Sequence, residues 1–157
     1  MAGLSDTVFR LLMREMGAHA VVSELLSAEG LLRGGKKTRE MLAFDERERP
    51  IGAQIFGANT RSLVEAARIV QGEGVDFIDI NCGCPVKKLT SDGAGAAWLR
   101  DPLKLGTLLL EVRQALKIPF EGSAGTFTGM VVDAEIPAPW PVGNFGTDNA
   151  SGWMRGF

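Results

Sequence analysis

The chain has 157 residues, 45% of them apolar and 23% charged, the proportions of one ordinary globular domain with a core of its own. A formal charge of −2 excludes a global electrostatic attraction to nucleic acid or to an anionic membrane. The balance is uneven along the chain: residues 1–118 hold 16 of the 17 Lys and Arg and 15 of the 19 Asp and Glu.

The two cysteines, Cys82 and Cys84, do not suggest a disulfide framework. No secretory signal or membrane-length apolar run is visible, so a reduced, cytoplasmic setting is expected. His19 is the only histidine and no second Cys pair exists, so no metal site is expected. Cys82 is expected to pack as a small apolar side chain.

In chain order, Ser5 is a plausible N-cap for a helix whose apolar stripe is Phe9, Leu12, Met13 and Met16, with Gly17 as its stop. Ala20 to Glu24 follows as a short strand. Ser27 to Leu42 reads as helix, broken at Gly34-Gly35, and carries the basic cluster Arg33, Lys36, Lys37 and Arg39. That cluster is either a solvated face or a phosphate-binding patch. Ile51 to Phe56 reads as a strand, with Gly52, Gln54 and Phe56 on one face, so that one amide sits among apolar neighbours. Thr60 to Gly72 is an amphipathic helix burying Leu63, Ala66, Ala67 and Val70. Gly93 to Leu99 and Pro102 to Leu116 read as helix, with Asp101 as N-cap ahead of Pro102.

Between these helices lies the most informative stretch, Phe77-Ile78-Asp79-Ile80-Asn81-Cys82-Gly83-Cys84-Pro85-Val86-Lys87-Lys88. Strand alternation puts Ile78 and Ile80 on one face and Phe77, Asp79 and Asn81 on the other. A core strand has little use for two polar residues on one face, because buried polar groups need partners. Gly83 and Pro85 end the strand and hold Cys84 between a permissive and a rigid backbone position. Two readings are open. Asn81 and Cys84 either close a turn or furnish a site at the C-terminal mouth of a parallel barrel.

Alternation of helix and strand implies right-handed βαβ units and a parallel sheet. Three strands cannot close an eight-stranded barrel, and no GxGxxG turn follows any strand. Beyond Pro119 the chain is rich in Gly and Pro and has no lysine. Residues 119–157 are expected to be irregular, although Phe127 to Val132 has strand character.

Several of these residues, taken in order, are similar to one family. They are Met1-Ala2-Gly3, Asp6, Phe9-Arg10, Val21-Val22-Ser23-Glu24, Gln54-Ile55-Phe56-Gly57, Asp79-Ile80-Asn81-Cys82-Gly83-Cys84-Pro85 with Lys87-Lys88, Gly93-Ala94-Gly95-Ala96 and Leu99-Arg100-Asp101-Pro102. Residues 1–118 resemble the tRNA-dihydrouridine synthases. The resemblance implies an α/β fold: part of a flavin-binding TIM (β/α)8 barrel, with three or four parallel strands and helices over 1–118 and a non-matching, irregular tail over 119–157. It implies FMN as cofactor, NADPH as reductant and tRNA as substrate. Met1, Ala2, Gly3, Gln54 and Asn81 correspond to flavin contacts, and Cys84 to the catalytic cysteine.

The implied chemistry accounts for the residue types. The C5–C6 bond of uracil is conjugated to the C4 carbonyl, so reduced flavin can deliver hydride to C6 while a proton reaches C5. An ordinary cysteine thiol, with a pKa of about 8.5, is protonated at neutral pH and can act as that acid. An asparagine offers both donor and acceptor to a base edge or a flavin. Stacking of the base on the flavin requires it to leave the RNA helix. Lys87, Lys88, Arg33, Lys36, Lys37 and Arg39 would then track phosphates.

The match departs after Pro119, where Phe120-Glu121-Gly122-Ser123 stands in place of a Val-Lys-x-Arg strand. His19 does not correspond to the family's active-site histidine and is expected to be structural or on the surface. A shifted reading frame or a truncated gene model would produce such a switch. Two alternatives follow: an inactive fragment of such an enzyme, or a flavin enzyme resembling dihydroorotate dehydrogenase.

Overall fold

The computed structural model describes residues 3–124 and 127–131. Five strands form one sheet in the order of the chain: β1 (Val21–Ser27), β2 (Ile51–Phe56), β3 (Phe77–Asn81), β4 (Phe120–Ala124) and β5 (Phe127–Val131). β1 to β4 run parallel, and β5 folds back antiparallel on β4. The α/β fold and its parallel strands thus agree with the sequence reading, the four parallel strands falling within the three or four expected.

Helices α4 (Thr60–Gly72) and α6 (Pro102–Ala115) make the crossovers between β2, β3 and β4. Their caps follow from the sequence. Asn59 accepts from the Ser62 N–H at 3.1 Å and Asp101 from the Lys104 N–H at 3.0 Å, each satisfying a donor that the first turn leaves open. Ala53, Ile55, Ile78 and Ile80 face these helices and join Leu63, Ala66, Ala67, Val70, Leu108 and Val112 in the main core. The helix expected over Thr60–Gly72 forms with those bounds, and its four expected core residues are all buried.

Several expectations need correction. The first helix, α1 (Thr7–Glu15), is capped by Asp6, which accepts from the Phe9 N–H at 2.9 Å, while Ser5 is buried. Of its expected stripe, Phe9 and Met13 are half-buried while Leu12 and Met16 are exposed, and the one fully buried residue is Arg10. The segment after β1 splits at Gly34-Gly35, as expected, into α2 (Ala28–Leu32) and α3 (Lys36–Glu40). Residues 93–99 do not form an α-helix; a 3-10 segment runs from Gly95 to Arg100. A short helix, α5 (Lys87–Thr90), went unforeseen. The expectation of an irregular chain after Pro119 fails for β4, which pairs with β3 from Ile78↔Phe120 to Asn81↔Ser123. Glycine and serine hid that strand, whose place is set by pairing and not by propensity. The strand character at Phe127 is real, and residues 132–157 lie outside the described residues.

The loop below β2 is tied to α1 by a buried ion pair. Arg10 and Glu48 are 3% and 0% exposed, with Arg10 Nε 2.5 Å from Glu48 Oε2. Every remaining group is used. The Arg10 guanidinium also donates to Ser5 O at 2.5 Å, Ala43 O at 2.9 Å and Thr7 Oγ1 at 3.2 Å, while Glu48 Oε1 accepts from the Asp45 N–H at 2.9 Å. Removing one partner of such a pair leaves a buried charge uncompensated. Arg10→Ala is therefore expected to cost about 3–5 kcal/mol. Arg10→Met combined with Glu48→Leu should recover most of that loss, measured by urea denaturation of both variants. A double variant no more stable than Arg10→Ala alone would contradict this account.

Candidate active site

Parallel strands place their C-terminal ends at one mouth, where β/α loops carry the chemistry of this class of sheet. The face turned away from the helices carries Gly52, Gln54 and Phe56 on β2 and Phe77, Asp79 and Asn81 on β3. It is built in three levels. At the bottom Phe77 lies across Gly52, where a Cβ would come within 2.3–2.7 Å of three ring carbons. Gly52 is the residue type that lets this ring close the floor. One step up, Gln54 and Asp79 are register partners, and the Gln54 amide nitrogen donates to the Asp79 carboxylate. Asp79 is 3% exposed while Gln54 is half-buried. The buried carboxylate thus orients an amide that reaches toward the mouth.

At the top, Asn81 ends β3 and its Oδ1 accepts from the Cys84 N–H at 3.0 Å. The Cys84 carbonyl accepts from the Ala96 N–H at 2.9 Å. Cys84 is thus held on both sides of its own Cα by backbone hydrogen bonds, and its side chain is half-buried. Gly95 makes this close approach feasible. Its φ is +58°, and a Cβ there would sit 2.6 Å from Cys84 O. That atom is backbone and cannot swing aside. The Gly93-Ala94-Gly95-Ala96 run and Cys84 are one structural unit.

The sequence spacing Cys82-x-Cys84 leads to opposite fates. Cys82 is 2% exposed, and burial, followed by the charge of Asp79, pushes its thiol up to about 12. Both causes oppose the thiolate, so Cys82 is unreactive, as its expected packing role requires.

Met1 and Ala2 lie outside the described residues, but Gly3 is placed. Its N–H donates to Glu24 Oε2 at 2.6 Å, and the Ser5 N–H donates to Glu24 Oε1 at the same distance. Both oxygens of one carboxylate thereby fix the start of the chain against β1. Register explains how Glu24 reaches it. Val22 pairs with Gly52 and Leu25 with Gln54, so Ser23 and Glu24 together oppose Ala53. Such a bulge re-aims the side chain it carries. Ser23 Oγ accepts from the Gln54 N–H at 3.3 Å, which ties the bulge to β2. Sequence reasoning did not single out Glu24. The available signal was a carboxylate inside the mostly apolar run Val21-Val22-Ser23-Glu24-Leu25-Leu26.

The structure therefore brings Gln54, Asn81 and Cys84 to one mouth on adjacent strands, with Gly3 fixed beside β1. The basic cluster is exposed after β1, with Arg33 at the end of α2 and Lys36, Lys37 and Arg39 on α3, and Lys36 stands 3.8 Å from Glu40. His19 is exposed in the turn before β1. Among the described residues no group of three His, Cys, Asp or Glu side chains is placed to hold a metal ion, and no helix is long and apolar enough to cross a membrane.

Three predictions follow from this geometry. Iodoacetamide should alkylate native protein once, at Cys84, with Cys82 modified only after unfolding; peptide mass mapping reads the site. Because the folded Cys82 pKa is raised above the ordinary thiol value of 9.0, the unfolded state ionises first. Its contribution to stability is complete below pH 9 and is lost as pH rises toward 12, so Cys82→Ala should flatten the alkaline decline in melting temperature. Separately, Gly95→Ala should cost about 1–2 kcal/mol from its left-handed backbone alone and more from the contact with Cys84 O. It should also change the alkylation rate at Cys84 without exposing Cys82.

Comparison with known proteins identifies the family. The family model for dihydrouridine synthase matches residues 1–123, five residues beyond the segment recognised by motif. The chain is 40% identical over 119 residues to tRNA-dihydrouridine synthase B of Pseudomonas aeruginosa, covering 76% of this chain and 36% of that protein. It is 39% identical over 118 residues to a probable tRNA-dihydrouridine synthase of Aquifex aeolicus, covering 74% and 37%. Over 113 residues it is 36% identical to tRNA-dihydrouridine(47) synthase [NAD(P)(+)] of Cryptococcus neoformans, covering 69% and 16%. The chain thus spans little more than a third of the bacterial relatives it matches. On the strength of a match that runs through every strand from β1 to β3 and into β4, the chain belongs to the dihydrouridine synthase family.

Proposed function

We propose that this chain carries the proton-donating half of a tRNA-dihydrouridine synthase site, in which a uridine of tRNA is reduced to 5,6-dihydrouridine with NADPH as the ultimate reductant. The observation that carries the reading is the double backbone anchorage of Cys84 at the open end of β3, beside Asn81 and one step above Gln54. A thiol that only closed a turn would have no need of it.

The residues present fit a flavin. Asn81 is a half-buried amide at the end of β3, Gln54 is a half-buried amide one step below it on β2, and Gly3 presents backbone with no side chain in the way. Gly3, Gln54 and Asn81, with Met1 and Ala2 before them, would hold FMN, which when bound supplies the hydride for C6 of the uracil. The chain's own residues do the rest. Asp79 fixes the Gln54 amide, so its orientation is set before any ligand arrives. Asn81 spends its oxygen on the Cys84 backbone, which leaves its Nδ2 amino group to donate to the base or the cofactor. Cys84 gives its proton to C5 as negative charge develops there, a step that general acids typically accelerate 10²–10⁴-fold. Glu24 and Arg10 act as positioning residues by holding the peptide on either side of Ser5.

The test is flavin binding followed by turnover. The purified chain should quench FMN fluorescence on titration and form dihydrouridine in unmodified tRNA with NADPH. Cys84→Ala should keep FMN affinity while losing about 10²-fold or more in rate, in line with the loss of a general acid. A chain that binds FMN yet turns over free dihydroorotate and not tRNA would overturn the reading, as would a Cys84→Ala variant with unchanged rate.

A further inference from the structure

We propose that the cleft between α5 and the start of α6 is a subsite for a phosphodiester of the RNA backbone, built into the loop that anchors Cys84. The proposal rests on the tRNA reading above and names a contact that it does not contain.

The cleft has a volume of about 300 Å³ and is bordered by Thr90, Ser91, Gly93, Arg100, Asp101 and Lys104. Its character is set by which of these groups are already engaged. Asp101 is the α6 N-cap, and its Oδ1 accepts from the Lys104 N–H at 3.0 Å, so the helix end itself is filled. Trp98 forms the back wall. It is 2% exposed, and its Nε1 donates to Gly57 O at 2.8 Å, which fixes the wall to the end of β2. The Lys104 ammonium stands 4.8 Å from the centre of the Trp98 ring, so the lysine is held by an aromatic face and keeps its N–H donors for a ligand. Arg100 is exposed and makes no ion pair or side-chain hydrogen bond among the described residues. That contrasts with Arg10, Arg47, Arg49 and Arg61, each of which is bound to a carboxylate. The Thr90 hydroxyl is turned back to the Val86 carbonyl at 3.4 Å, so two unspent cations and the Ser91 hydroxyl make the donor set suited to phosphate oxygens. Lys87 and Lys88 are exposed on α5, the helix that ends at Thr90.

Position decides between a generic basic surface and a subsite. Gly93 borders the cleft, and Gly95 and Ala96, two and three residues on, touch the Cys84 carbonyl. A phosphate seated here would therefore bear on the loop that fixes the thiol, as suits a nucleotide flanking the one that is reduced.

The experiment is tRNA binding by the full chain, measured by fluorescence polarisation across about 50–200 mM salt, where phosphate contacts are most visible. Variants are Arg100→Ala, Lys104→Met (which keeps the stem on Trp98) and their combination, with Arg68→Ala on the exposed face of α4 as a control. Each lost phosphate contact should lower the slope of log K against log salt by about 0.7–0.9. The double variant should lose roughly twice that, with affinity falling about tenfold or more at low salt, and Arg68→Ala should match wild type. NADPH titrated against tryptophan fluorescence should be unaffected by the same variants. A wild type that binds tRNA while the double variant keeps its slope and affinity overturns the subsite alone, as does a loss confined to NADPH. A wild type with no tRNA binding overturns both the subsite and the tRNA reading.

Discussion

The hydrogen bond from the Cys84 N–H to the Asn81 side chain is the constraint on which the site depends. It closes a three-residue turn at the end of β3, so the direction of the strand is converted directly into the position of a thiol. The return contact from Ala96 then ties that thiol to a segment twelve residues later in the chain. Between the two anchors sit Pro85, with φ fixed by its ring, and the short helix α5. Little freedom is left in the backbone at Cys84, and that is what a proton donor needs if its geometry is to be set before the substrate binds.

The same strand alternation that delivers Cys84 also keeps the two thiols apart in reactivity. Cys82 continues the inward pattern of Ile78 and Ile80 into the helix-facing core, next to the buried charge of Asp79. Burying Asp79 is costly unless it is hydrogen-bonded. Its bond from Gln54 offsets part of that cost and orders the Gln54 amide at the same time. One buried carboxylate thus orients a polar side chain at the mouth and suppresses the thiol that has no part in the chemistry.

What was legible in the sequence follows the range of the forces involved. Helix α4 and strand β2 were readable because periodicity and local caps fix them: Asn59 ahead of Thr60, Pro50 ahead of Ile51. Asn81 and Cys84 stood out because polar residues on one face of a strand contradict a plain core. Glu24 did not stand out, because its role depends on a bulge that is visible only through the partners of Val22 and Leu25. No local signal marked Arg10 as buried, because its burial depends on Glu48, thirty-eight residues away. Strand β4 was hidden for the same reason: Phe120-Glu121-Gly122-Ser123 has weak strand propensity, and pairing with β3 and β5 sets its place.

The exposed stripe on α1 belongs to this argument. Val8, Leu12 and Met16 are 75%, 49% and 74% exposed, spaced four residues apart on a helix that packs beside β1. Among the described residues β1 pairs only with β2, so an apolar helix face and an open strand edge occur together at one side of the sheet. In a closed eight-stranded barrel both surfaces are covered, the edge by the last strand and the helix face by neighbouring helices. The site itself lies away from that side, in β2, β3 and the loop to α6, where the sheet is paired on both edges. Its internal hydrogen bonds therefore do not need the barrel to close, although Gly3, held against β1 by Glu24, sits where closure would matter most.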